Sequence, residues 1–186
     1  RWAVGLLGGG LIAGTLLSER MDHTWPLVVR RVTTPAVYGW MATEGGGIID
    51  VPMGITQLAI VDQTQHRLPL FGGMGESAPA FWPEGHGARL KSPFIRALQR
   101  ATRDPERLRR SEPGDGEFLL RQGFRWVVLH RHLIDSEFNR FGRNKSDEQR
   151  ERAPFAATTA LTELLGPPVA VDGPLVVWSL GPVGDP

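Results

Sequence analysis

The sequence predicts an α/β fold: a small central mixed sheet with flanking helices, preceded by the end of a transmembrane helix. Three observations carry this reading. Apolar, largely β-branched runs at Ile48–Val51, Trp126–Leu129 and Val176–Leu180 alternate with helical segments. The last of these follows Val169-Ala170-Val171 across Asp172-Gly173, a good hairpin signal. The chain opens on an unbroken run of apolar and small residues, Trp2 to Leu17.

Composition narrows the function classes. A chain of 186 residues is long enough for one domain with a proper core. A net charge of +1 gives no global pointer to nucleic acid. The absence of cysteine excludes both a disulfide framework and a thiolate metal site. The chain starts at Arg1 and not at Met, so it reads as a fragment or a processed product. The expected layout is a transmembrane helix end over 1–18, a connector over 19–33, an α/β domain over 34–182 and a tail over 183–186.

The opening run carries Gly5/Gly9 and Gly10/Gly14 four residues apart, a spacing that lets membrane helices approach closely. So many glycines make a poor helix in water, and the tail of a membrane span is the favoured reading. Trp2 and Trp25 suit membrane interfaces, or simple packing. A signal-peptide core would need a charged leader and a small-residue cleavage site, and neither is clear. The other competitor is a dinucleotide fingerprint, Gly8-x-Gly10-x-x-Ala13. Val28-Val29 is followed by Arg30-Arg31, so that reading implies an NADP-binding oxidoreductase. Thr34 then reads as the N-cap of a short helix, with Pro35 at its first position. Gly45-Gly46-Gly47 ends the helix and launches the strand at Ile48.

The stretch Ile48 to Gly73 predicts two strands that deliver Asp50 and the cluster Gln63-Thr64-Gln65-His66 to neighbouring loops. Between Gly73 and Lys91 the chain reads as a loop, with Phe81-Trp82 capping the core or stacking on a sugar. Ser92-Pro93 caps the next helix, where Arg96, Arg100 and Arg103 recur on one face. An arginine stripe binds lipid phosphates, or is a solvated face with Asp104 and Glu106 as acidic neighbours.

Glu117 to Gln122 reads as a helical turn stopped by Gly123. The strand that follows ends in His130-Arg131-His132. Extended backbone puts His130 and His132 on one side, and Asp135 follows, a possible metal trio. With no third histidine nearby in sequence, no metal is assigned. Ile134 to Arg152 reads as a surface helix or loop. Pro154 to Leu165 reads as an amphipathic helix ended by Gly166-Pro167-Pro168.

Four segments in order carry a resemblance: TPAVYGWMATEGGGIIDVP, DQTQHRLPLFGG, LLRQGFRWVVLHR and LTELLGPPVAVDGPLVVWSL. Together they resemble the extracytoplasmic C-terminal domain of bacterial polytopic membrane proteins similar to GT-C glycosyltransferases. The resemblance covers most of Thr34 to Leu180. It matches Asp50, Gln63, Thr64, His66, Gly72, Gly73 and His130 as motif positions, with Met74-Gly75-Glu76 replacing the family's usual basic or aromatic residue. It implies a domain outside the cytoplasm, held at the cell membrane by its N-terminal helix and by membrane helices elsewhere in the protein. It also implies a polyprenyl-phosphate sugar donor for the whole protein and no cofactor in this chain. The family's catalytic carboxylate lies among membrane helices, so no catalytic residue transfers. The expected role is help in binding an acceptor or a lipid-linked sugar. Asp50, Gln63, Thr64, His66 and His130 are the candidate contacts, and Arg96, Arg100 and Arg103 face phosphates. A structural or interaction domain without a ligand is the alternative. Asp50, His66 and His130 are expected together at one sheet edge.

Overall fold

The computed structural model describes residues 34–53, 62–64, 66–71, 84–105, 116–134 and 146–182. The expected membrane span and the Gly8–Ala13 fingerprint lie outside them, as do Gly72, Gly73, Phe81, Trp82 and Asp135. No helix among the described residues is long and apolar enough to cross a membrane.

The fold is α/β. Helix α1 (Ala36–Glu44) leads into strand β1 (Gly47–Val51). Helices α2 (His86–Leu90), α3 (Pro93–Arg103) and α4 (Glu117–Arg121) precede strand β2 (Phe124–His130). Helix α5 (Asp147–Leu165) and the hairpin β3 (Ala170–Asp172) and β4 (Leu175–Ser179) complete it. The sheet order is β1-β2-β4-β3, with β1 and β2 parallel and the other two pairings antiparallel.

Both central strands are continuously apolar because both faces of the sheet are covered. Ile49, Val51, Val127, Leu129, Val176 and Trp178 face a core built with α3, α4 and α5. Ile48, Trp126, Val128, Leu175 and Val177 face a second core closed by Val37, Tyr38 and Met41 of α1, with Leu68. Side chains alternate along a strand, so Asp50 and His130 share the α1 face. Arg125 ties the edges of this layer together. It donates to the carbonyls of Glu44 and Pro182, both at 3.0 Å, and pairs with the Glu44 carboxylate at 3.3 Å. Gly46 sits against it at φ 93°, where a Cβ would come within 2.6 Å of Arg125 Cβ, so only glycine fits.

Several local expectations are corrected. Thr34 is not the N-cap: Pro35 takes that position, and the Asp172 carboxylate accepts from Val37 N–H at 3.0 Å. A distant carboxylate thus replaces a local cap and complements the helix dipole. Asp172 is not a turn residue either. It pairs with Leu175, leaving Gly173 and Pro174 as the turn.

The run before Gln63–His66 in which a strand is expected, 54–61, lies outside the described residues. Asp62, Gln63, Thr64 and His66 are helical, and only Leu70 bridges Ile48. Part of the stretch expected as a loop before Lys91 is α2. The last helix starts at Asp147 and runs through Pro154. Its start is set by a capping box, with Ser146 Oγ accepting from Gln149 N–H and Gln149 Oε1 accepting from Ser146 N–H. Ala153, Ala157, Ala160 and Leu161 are buried along it, and this packing holds the helix across a proline that removes one of its own bonds. Ser92 caps α3 as expected, accepting from Ile95 N–H at 3.2 Å.

Candidate functional site

The carboxyl ends of the two parallel strands bring Asp50 and His130 together. Asp50 Oδ1 and His130 Nε2 are 2.8 Å apart, and the two residues are 5 % and 3 % exposed. Val51 and Leu129, the last register pair of β1 and β2, fix the alignment from the opposite face. With the carboxylate accepting from Nε2–H, Nδ1 is the ring's other polar atom, an acceptor in that neutral tautomer.

His66 is the third member. Its ring stacks on Tyr38 at 4.9 Å, and its Nδ1 accepts from Leu68 N–H at 3.0 Å. That bond fixes the tautomer and leaves Nε2 as the donor. Burial holds its pKa below the usual imidazole range, against the pull of Asp50 and Asp62. Gln63 braces the same turn, Nε2 donating to Leu68 O at 3.1 Å. It therefore serves the local backbone, and Thr64 is exposed.

Asp62 is the residue that sequence reasoning missed. It accepts a hydrogen bond from Tyr38 Oη at 3.3 Å. Burial raises its pKa above the ordinary carboxylate value; His130 and the Tyr38 bond oppose the rise, and Asp50 adds to it. Tyr38 is itself pushed far up by burial and by the two carboxylates, so its hydroxyl stays protonated. The signal for Asp62 was present in DQTQH, but strand reasoning assigned no face to it.

His132 does not extend the strand as expected. β2 stops at His130, and Arg131–Leu133 form a 3₁₀ turn. This leaves His132 exposed with its ring 5.8 Å from that of His130. No group of three or more His, Asp or Glu among the described residues could hold a metal ion. The arginine stripe lies elsewhere in the fold: Arg96, Arg100 and Arg103 are exposed along α3, which packs on the other face of the sheet.

Among the described residues, no hydrogen-bond partner meets His130 Nδ1 or His66 Nε2. Among the described residues an acceptor and a donor are thus left over in one cluster with the buried Asp50 and the half-buried Asp62. Comparison of the chain with protein-family models, curated proteins and solved structures finds no match. The protein is thus an α/β domain with a His–carboxylate cluster at the carboxyl end of a parallel strand pair.

The cluster makes stability pH-dependent in a way that can be checked. A histidine whose folded pKa is below its unfolded value of 6.5 costs stability as pH falls through that value, because the unfolded chain binds the proton first. His66 and His86 both act in this direction. Asp62 acts in the opposite one, since the folded state takes its proton first as pH falls towards the unfolded value of 3.8. The melting temperature should therefore drop on acidification below about pH 6.5. Thermal melts of His66→Gln should show a shallower drop, and those of Asp62→Asn a steeper one.

Proposed function

We propose that this chain is the extracytoplasmic C-terminal domain of a membrane glycosyltransferase-like protein. Its role there is to bind a hydroxyl-rich ligand, an acceptor or a lipid-linked sugar, without performing the transfer itself. One observation carries the reading. His130 Nδ1 and His66 Nε2–H offer an acceptor and a donor beside Asp50 and Asp62, and a sugar hydroxyl is both donor and acceptor. The cluster lies at the carboxyl end of parallel strands, where open α/β sheets bind ligands. The ordered segments that resemble the GT-C-like family contain all four of these residues, with Asp50, His66 and His130 at motif positions and Asp62 beside them.

The test compares this chain with the protein extended by its membrane helices, using a labelled lipid-linked sugar. The chain alone should not turn the substrate over, because transfer needs a positioned base and a site for the leaving phosphate. In the extended protein His66→Ala should lower turnover while circular dichroism stays unchanged. Turnover by the chain alone would overturn the proposal.

The structural alternative has its own support in the near-complete burial of Asp50, His66 and His130. Normal turnover by a folded but less stable His66→Ala protein would favour it.

A further inference from the structure

The outer face of α3 and the turn before it carry positive charge that the fold leaves unanswered. From Gly85 to Arg103 the chain holds Arg89, Lys91, Arg96, Arg100 and Arg103 and no aspartate or glutamate. Lys91, Arg96 and Arg100 are exposed. Among the described residues none of these three side chains takes part in an ion pair or a hydrogen bond. Arg103 shares the helix face but already has a partner, as does Asp104 beyond it. We propose that Lys91, Arg96 and Arg100 form a docking surface for the anionic headgroups of a membrane.

Helix stability does not account for these charges. A cation is favourable near the carboxyl end of a helix and unfavourable near its amino end. Lys91 immediately precedes the N-cap Ser92, and the first turn of α3 has no acidic residue to offset it. Arg96 and Arg100 are four residues apart, a like-charge spacing that weakens a helix. Elsewhere the fold answers its arginines locally. Arg121 pairs with Glu117, Arg150 with Asp147 and Arg152 with Glu148, each three or four residues away along α4 or α5. An outside anion would remove the repulsion that α3 otherwise retains.

The kind of partner follows from what else the face offers. Phe94, Ile95 and Leu98 of α3 are buried in the core, so the apolar side of this helix is used by the fold and cannot insert into lipid. The large apolar side chains exposed among the described residues are Phe155, Val169 and Val171, and none lies on α2 or α3. Protein partners are held by aromatic and apolar anchors, and single-stranded nucleic acid by aromatic stacking; this face has neither. A layer of headgroup phosphates needs only spaced, mobile cations, each of which adds to the attraction. Duplex nucleic acid offers similar phosphates, and the membrane is favoured because, on the reading proposed above, the domain lies beside one.

The full chain is sedimented with vesicles of phosphatidylcholine alone and of phosphatidylcholine mixed with phosphatidylglycerol. The apolar run Trp2–Leu17 carries no charged residue, so the ratio of the two partition coefficients isolates the contribution of lipid charge. The ratio should be well above one at low salt. Lys91→Gln, Arg96→Gln and Arg100→Gln should each lower it about fivefold, with circular dichroism unchanged because all three side chains are exposed. Arg150→Gln removes the same charge from α5 and should leave the ratio as it is. Salt near about 1 M, where the Debye length is about 3 Å, should bring it to one. A ratio of one at low salt overturns the proposal. So does an equal loss in Arg150→Gln, which would make net charge the cause, or tighter binding to a DNA duplex with the same dependence on the three residues. None of these outcomes touches the sugar-binding reading, which is judged by turnover in His66→Ala.

Discussion

Replacing Trp126 with alanine is expected to destabilise the domain by about 3–5 kcal/mol, the largest loss of any single substitution considered. Trp126 is fully buried in the core between the sheet and α1. Its ring lies 4.9 Å from that of Trp40, and Arg125 covers it at 4.8 Å. Its Nε1–H donates to Gly45 O at 2.8 Å, so the side chain also holds the turn that ends α1. Alanine removes the ring, leaves a cavity and deprives the Gly45 carbonyl of its donor. Domains of this kind have about 5–15 kcal/mol in total, so the variant should be marginal at ambient temperature. Trp126→Phe keeps most of the volume and loses the hydrogen bond, for about 1 kcal/mol from that bond. Urea melts should show a lower midpoint for alanine than for phenylalanine, with similar slopes. A Trp126→Ala midpoint equal to wild type would mean that α1 is not packed on the sheet as described.

The second large effect belongs to Asp50. Asp50→Ala leaves His130 Nε2 buried without its partner, and an orphaned buried polar group costs about 1–3 kcal/mol. Asp50→Asn preserves an oxygen at the same place and should cost less. The pair is best isolated by a cycle of Asp50→Ala, His130→Ala and the double variant. Residues in direct contact couple by about 0.5–3 kcal/mol, and a coupling near the upper end is expected for a 2.8 Å bond between two buried side chains. A coupling of zero would show that the two residues do not depend on each other. The cycle bears on function as well. If the cluster is a binding site, the Asn variant should bind ligand poorly while remaining well folded. If it is only a structural brace, stability and binding should fall together.

The elements legible in the sequence are those set by local chemistry. Trp126–Leu129 is apolar on successive residues and Ile48–Val51 is so but for Asp50, which marks strands covered on both faces. Ser92-Pro93 starts α3 with a bond from its own third helical residue. Gly123 at φ 88° and Gly166 at φ 86° stop α4 and α5, as glycines past a helix end do. Asp50 and His130 stood out because each closes an apolar run. Their meeting at one edge follows once both runs are taken as parallel neighbours.

What only the tertiary structure decided depends on contacts between residues far apart in sequence. The N–H of Val37 is capped by Asp172, 135 residues away, so no local motif at Thr34 announced it. Asp62 joins the cluster because the segment before His66 turns as a helix under Tyr38; a strand there would have pointed its side chains by alternation instead. Pro154 looked like a helix start because proline favours the first turn, yet the capping box at Ser146 and the buried alanines carry α5 through it. Periodicity and capping fix where a backbone segment can be helical or extended. The free energy that chooses among such segments comes from burial and from long-range hydrogen bonds, which a linear reading cannot see.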